Sequence, residues 1–135
     1  MVTPGEQPSP PAVRPAEIPY AKPADLAVVR EFVRTEAESL GLPRLRADLL
    51  TVAVSELATN TLQHTDGGGV VRIWAEPGRV CCEVVDHGAS PGFGRDMPSA
   101  NEVRGRGLAI VERICDEVGT DIGPAGTSVR LGMRN

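Results

Sequence analysis

The stretch "ELATNTLQH", Glu56 to His64, sits inside a longer pattern that reads as an amphipathic helix. Leu50, Val54, Leu57 and Thr61 recur at the three-to-four spacing of one helix face, with Leu45, Leu49 and Ala53 beside them. Across this pattern Glu56, Asn60 and His64 fall at i, i+4 and i+8. Each such step advances the helix by about 40° beyond a full turn, so the three polar groups form one slanting stripe beside the apolar one. A polar edge at the solvent boundary would look the same. The rest of the chain decides whether this stripe is chemistry or solvation.

Outward from this helix the chain reads in clear blocks. Upstream, Pro23 to Leu40 is a first helix with Leu26, Val29, Val33 and Ala37 on its apolar side, and Gly41 is its natural stop. Pro43 suits the first turn of the second helix, which runs to about Thr65 and is broken by "DGGG", Asp66 to Gly69. Downstream the period changes to two. "VVRIWAEP" and "RVCCEVVD" are strand-like runs joined by a Pro-Gly turn. A long aperiodic segment follows, "HGASPGFGRDMPSANEVRGRG", rich in glycine and proline. Loops of that length in a compact domain are unusual and often functional. "GLAIVERICDEV" is helical again, with Leu108, Ile110, Val111, Ile114 and Val118 on a broad face. Strands near "TDIG" and "TSVRLGM" close the chain. At the other end, proline is dense over residues 1–16, which are expected to be a mobile tail, and "VRPAEIPY" can add an edge strand, where Pro15 and Pro19 are tolerated.

The order helix, helix, strand, strand, loop, helix, strand, strand lacks the alternation of a doubly wound sheet. Strands joined by short turns argue for a mainly antiparallel mixed sheet with helices layered on one face, a two-layer α/β sandwich. With 135 residues, one domain is expected, residues 17–135 following the tail. At 41% hydrophobic but only 3% aromatic, the core must be mainly aliphatic. The net charge of −4 disfavours nucleic acid or an anionic membrane as the main partner. No apolar run reaches the ~18 residues of a membrane helix, and the N-terminus lacks a signal-peptide pattern, so a cytoplasmic location is expected. The three cysteines agree. Cys81 and Cys82 are adjacent in a strand and point to opposite faces, and Cys115 lies alone in a helical pattern.

Three further segments bear on the polar stripe. Asp86 ends the apolar run "CCEVVD", where a carboxylate needs donors, and an exocyclic base amine is one such donor. Gly88 would let a flat ligand approach the backbone. "GRGL", Gly105 to Leu108, opens a helix, where free N–H groups attract phosphate. "GTSV", Gly126 to Val129, starts the last strand with a small hydroxyl residue. Each segment alone has an ordinary structural reading as a turn. No Walker-type loop and no dinucleotide fingerprint is present.

Taken in order, "SELATNTLQH", "VVDHG", "GRGL" and "GTSV" resemble the nucleotide-binding boxes of the ATPase superfamily shared by DNA gyrase, the ninety-kilodalton heat-shock chaperone, histidine kinases and MutL. Within it they look most like the bacterial anti-sigma factor serine/threonine kinases, over about residues 20–133. The resemblance implies a Bergerat-type fold with ATP and Mg²⁺ bound between the helices and a lid. It implies that Glu56 is the general base, that Asn60 holds the metal, and that Asp86 bonds the adenine amino group over Gly88. Gly105, Arg106, Gly107 and Leu108 would turn around the phosphates, and Thr127 would reach adenine through water. Residues 89–104 would be the lid. The partners implied are a sigma factor and an anti-anti-sigma factor, with a homodimer as a further implication. Three departures are visible: the second box reads "DHGASPG", with its second glycine displaced, the lid segment is short and has no lysine, and the N-terminal tail is proline-rich where the family has its first strand. They motivate an alternative, a nucleotide-dependent partner-binding switch with little kinase activity. His64 is expected to cap or pack rather than meet the phosphates, and His87 receives no role.

Overall fold

The computed structural model describes residues 14–64, 67–87, 108–123 and 126–135. The segment expected to be a lid, and the tail over residues 1–13, lie outside these residues. In chain order the elements are β1 (Ala16–Tyr20), α1 (Asp25–Ser39), α2 (Arg44–His64), β2 (Gly69–Glu76), β3 (Arg79–Asp86), α3 (Ala109–Ile114), β4 (Glu117–Gly123) and β5 (Gly126–Arg134).

Local chemistry sets the helix ends. The Asp25 carboxylate accepts hydrogen bonds from the backbone N–H groups of Ala21 and Lys22 at 2.8 and 3.0 Å, which fixes the turn into α1. These two donors hold Asp25 below the usual carboxylate range. At the far end Gly41 takes a positive φ of 110°, and the Leu42 N–H reaches back to the Ala37 carbonyl at 3.0 Å. This is the glycine-terminated closure expected from the sequence. α2 starts just after Pro43, whose carbonyl accepts the Ala47 N–H at 2.9 Å.

The strands form one sheet in the order β1-β2-β3-β5-β4, and every pairing among them is antiparallel. β2 and β3 are a hairpin closed at Pro77–Gly78, with Gly78 at φ 78°. Register sorts the side chains into two faces. Val71 and Ile73 of β2, Val80, Cys82 and Val84 of β3, and Val129, Leu131 and Met133 of β5 are buried in one cluster with Val29, Val33, Leu50, Val54 and Leu57 of the two long helices. Each fully buried aliphatic side chain contributes about 1.5–3 kcal/mol, so this single aliphatic core holds the helix layer to the sheet. Period-two strands facing one helix layer explain why the hairpin was legible from sequence.

The opposite face carries ion pairs instead. Arg72 bridges Glu17 at 2.8 Å and Glu83 at 3.2 Å, Arg79 pairs with Glu76 and Glu117, and Arg130 lies 5.7 Å over the Trp74 ring. Exposed pairs of this kind contribute about 0–1 kcal/mol each. They keep this face wet rather than hold the fold. Cys81 and Cys82 do point to opposite faces: Cys82 joins the helix-side core, while the acid–base pair Glu76 and Arg79 sits beside Cys81.

One expectation is corrected. The last helix ends at Ile114, not at Val118, and Val118 belongs to β4, opposite Leu131. The backbone turns extended at Cys115 (φ −95°, ψ 147°). The Asp116 side chain then accepts bonds from the Arg134 N–H at 2.7 Å and from Arg46 at 2.5 Å. Val118 fits a helical spacing from Ile114, but pairing with β5 satisfies its backbone and wins.

Candidate functional site

The sheet register assembles one end of the site. Val84 faces the helices, so Asp86, two residues further along β3, lies on the same face at the strand's end. Asp86 stands opposite Gly69 on one side and Thr127 on the other, and the row continues to Tyr20 and Ile122 at the edges. The sequence-predicted pair Asp86 and Thr127 are therefore direct cross-strand neighbours. Both are half-buried.

Two glycines make this approach possible. Gly126, the first residue of β5, has φ 131°. A Cβ there would overlap the Asp86 carbonyl oxygen and lie 3.0 Å from its carbon. Gly69 is equally tight: a Cβ would overlap the Val85 carbonyl oxygen and sit 2.9 Å from the Tyr20 hydroxyl. The strand ends thus close on Asp86 only because both neighbours lack side chains.

α2 supplies the second part. Its flank against α1 is marked by the Arg30–Ser55 bond at 3.3 Å and the Arg34–Asp48 pair at 2.8 Å. Asn60 lies about 140° around the helix from Ser55, on the flank turned away from α1. Glu56 is one turn earlier on that flank, and both are half-buried. The next residue, Thr61, points into the core and hydrogen-bonds with the Tyr20 phenol, which also feels the Asp86 charge. The last turn of α2 is thereby held over the Asp86 row.

One polar atom stands out. Asn60 Nδ2 is buried and has no hydrogen-bond partner among the described residues. An unpaired buried amide costs about 1–3 kcal/mol, so such groups are uncommon where no ligand is used. Half a turn of the carboxamide exchanges its nitrogen and oxygen. The same position thus offers either a donor to phosphate or an oxygen to a hard cation, and the donor set fits Mg²⁺.

Leu108 is buried in the core just ahead of α3. Gly88, Gly105, Arg106 and Gly107 lie outside the described residues. His87 is exposed. Burial pushes the Cys115 thiol up to about 12 and the Cys82 thiol upward as well, so both serve as packing groups. The sequence reading missed Tyr20, Gly69 and the close fit of Gly126. The signals were a lone tyrosine at the end of an edge strand and a triple glycine leading into β2.

A five-stranded antiparallel sheet under one helix layer defines an open two-layer α/β domain. The chain belongs to the histidine kinase-like ATPase domain family, whose model matches residues 20–133. No curated protein matched the chain in a sequence search. Among solved structures, the RsbU and RsbW domains of Rv1364c from Mycobacterium tuberculosis are similar, with a TM-score of 0.68 and 24% identity, covering 89% of this chain and 32% of that one. The Erythrobacter litoralis EL346 blue-light activated histidine kinase is similar with a TM-score of 0.53 and 22% identity, covering 84% of this chain and 42% of that one. This chain thus spans about a third and under half of those chains, and the likeness is one of fold. Among the described residues no helix is long and apolar enough to cross a membrane.

Proposed function

We propose that this ATPase-type domain, taken as residues 17–135, binds ATP with Mg²⁺ and acts as an anti-sigma factor-type serine/threonine kinase in the cytoplasm. In this reading it phosphorylates an anti-anti-sigma partner and sequesters a sigma factor, with a homodimer as its working form. The observation that carries the nucleotide half is the buried Asn60 Nδ2, which has no hydrogen-bond partner among the described residues and stands one helical turn from Glu56. The ordered boxes of the sequence support the kinase half.

Each residue's task follows from its chemistry. Asp86 accepts a hydrogen bond from an exocyclic amine, which favours adenine over a base carrying a carbonyl at that position. Thr127, its neighbour across the ladder, completes the polar edge that meets the base. The resemblance gives Gly88 a place under the base and the Gly105, Arg106, Gly107 and Leu108 segment a place around the phosphates. Asn60 holds the metal, which when bound neutralises phosphate charge. Glu56 orients the attacking hydroxyl and accepts its proton as the oxygen–phosphorus bond forms and the bridging bond to ADP breaks. Such transfer depends chiefly on positioning and charge neutralisation.

The test is phosphate transfer to a cognate partner under saturating Mg-ATP. Phosphoserine or phosphothreonine that Glu56→Ala abolishes supports the kinase. Tight nucleotide binding with no transfer supports the second reading, a partner-binding switch, which the displaced glycine of "DHGASPG" favours.

A further inference from the structure

Tyr20 is the chain's only tyrosine and is almost fully buried, although it belongs to an edge strand. A phenylalanine would fill the same volume, and burying a hydroxyl is costly unless it finds partners. The partners here are specific. The phenol hydrogen-bonds with Thr61 in the last turn of α2, and it lies 3.5 Å from the Val85 carbonyl oxygen. The Thr61 hydroxyl also lies 3.1 Å from the Leu57 carbonyl oxygen.

The reach is set by the sheet. Tyr20 pairs with Gly69, and Gly69 pairs with Asp86. Two strand spacings separate the Tyr20 and Asp86 backbones, about 10 Å. A side chain at Gly69 would block the path, since its Cβ would sit 2.9 Å from the Tyr20 hydroxyl. Because the middle strand has none, the ring crosses it and delivers its hydroxyl beside the Asp86 end of β3. Burial, partly offset by Thr61 and increased by the Asp86 charge, pushes the phenol up to about 12, so it stays a neutral donor at every working pH.

We infer that Tyr20 is a positioning residue of the adenine site: its hydroxyl, crossing the side-chain-free Gly69, ties the Asp86 end of β3 to the last turn of α2 through Thr61. The inference rests on the reading of Asp86 as the residue that meets the base amine. It links the two halves of the site, since Thr61 follows Asn60 directly in α2 and Asp86 faces the base. The edge strand then has a task in base recognition besides closing the sheet.

The experiment compares ATP with purine riboside triphosphate, which lacks the exocyclic amine, by calorimetric titration well below the melting temperature. Proteins are the wild type, Tyr20→Phe, Thr61→Val and Asp86→Ala. One net hydrogen bond corresponds to a roughly fivefold to tenfold change in affinity. The expected result is that Tyr20→Phe loses ATP affinity by about that factor, leaves the analogue nearly unchanged, and so narrows the preference. Thr61→Val, which keeps shape and removes the hydroxyl, narrows it in the same direction and serves if Tyr20→Phe does not fold. A lowered melting temperature with the preference intact in both variants, while Asp86→Ala loses ATP, would overturn the positioning role and leave the Asp86 reading standing. A wild type that binds both nucleotides equally, with Asp86→Ala unchanged, would overturn the Asp86 reading and this inference with it.

Discussion

Replacing Gly126 with alanine tests how the site end is built. The residue holds φ 131°, where side chains are strained by about 1–3 kcal/mol. The added Cβ would overlap the Asp86 carbonyl oxygen, which is backbone in a paired strand and cannot swing aside. Either the β3–β5 ladder opens at Thr127–Asp86 or the start of β5 peels away. Strain together with one or two lost ladder bonds, at about 1 kcal/mol each, gives a destabilisation of roughly 3 kcal/mol. For a domain of this size that lowers the melting temperature by roughly 10–15 °C. Because displacement falls on Asp86 and Thr127, ATP affinity should drop at least tenfold even at temperatures where the variant is folded. Gly123 supplies the control. It pairs with Gly126 across the ladder, yet a Cβ on it would meet nothing within 4 Å among the described residues. Gly123→Ala should therefore stay within about 0.5 kcal/mol of wild type and keep its affinity. Thermal melts and nucleotide titrations of both variants decide the matter. A Gly126→Ala protein with wild-type melting and wild-type ATP affinity would refute the close-approach account.

Other outcomes follow from particular groups. Asn60→Ala removes a buried amide whose nitrogen has no partner among the described residues, so urea melts should show stability unchanged or raised by up to about 1 kcal/mol, a result a structural asparagine would not give. Asp116 is held below the usual carboxylate range by the Arg134 N–H first and then by Arg46. Its stabilisation is thus complete above about pH 4 and fades as the pH falls through its lower folded value. Asp116→Asn should flatten stability against pH on the acid side, and a slope equal to wild type would contradict this. Cys82 and Cys115 should resist thiol reagents in the native protein at pH 8 and react on unfolding, because burial keeps both protonated.

The long helices and the β2–β3 hairpin were legible because their patterns are local: Val29, Val33 and Ala37 recur on one helix face, and "VVRIWAEPGRVCCEVVD" alternates around a Pro-Gly turn. The polar stripe of α2 was legible for the same reason, since Glu56 and Asn60 are one turn apart. The α3–β4 boundary was not, because Val118 satisfies both periods and only the partner strand β5 decides between them. Tyr20 was missed because its role depends on a contact with Thr61, distant in the chain, and on the absence of a side chain at Gly69. Neither leaves a periodic trace. Gly126 was read as part of a turn motif, but its fit against the Asp86 backbone is visible only once β3 and β5 are side by side.

Asn60 on α2 and Asp86 on β3 are proposed to build a Mg-ATP site. Its most direct test is titration of ATP with and without Mg²⁺ into the wild type, Asp86→Ala and Asn60→Ala. The account predicts Mg²⁺-enhanced binding by the wild type, loss of binding in Asp86→Ala, and binding that no longer responds to Mg²⁺ in Asn60→Ala. A folded wild type that binds no adenine nucleotide, or an Asp86→Ala protein that binds ATP as well as the wild type, would contradict it.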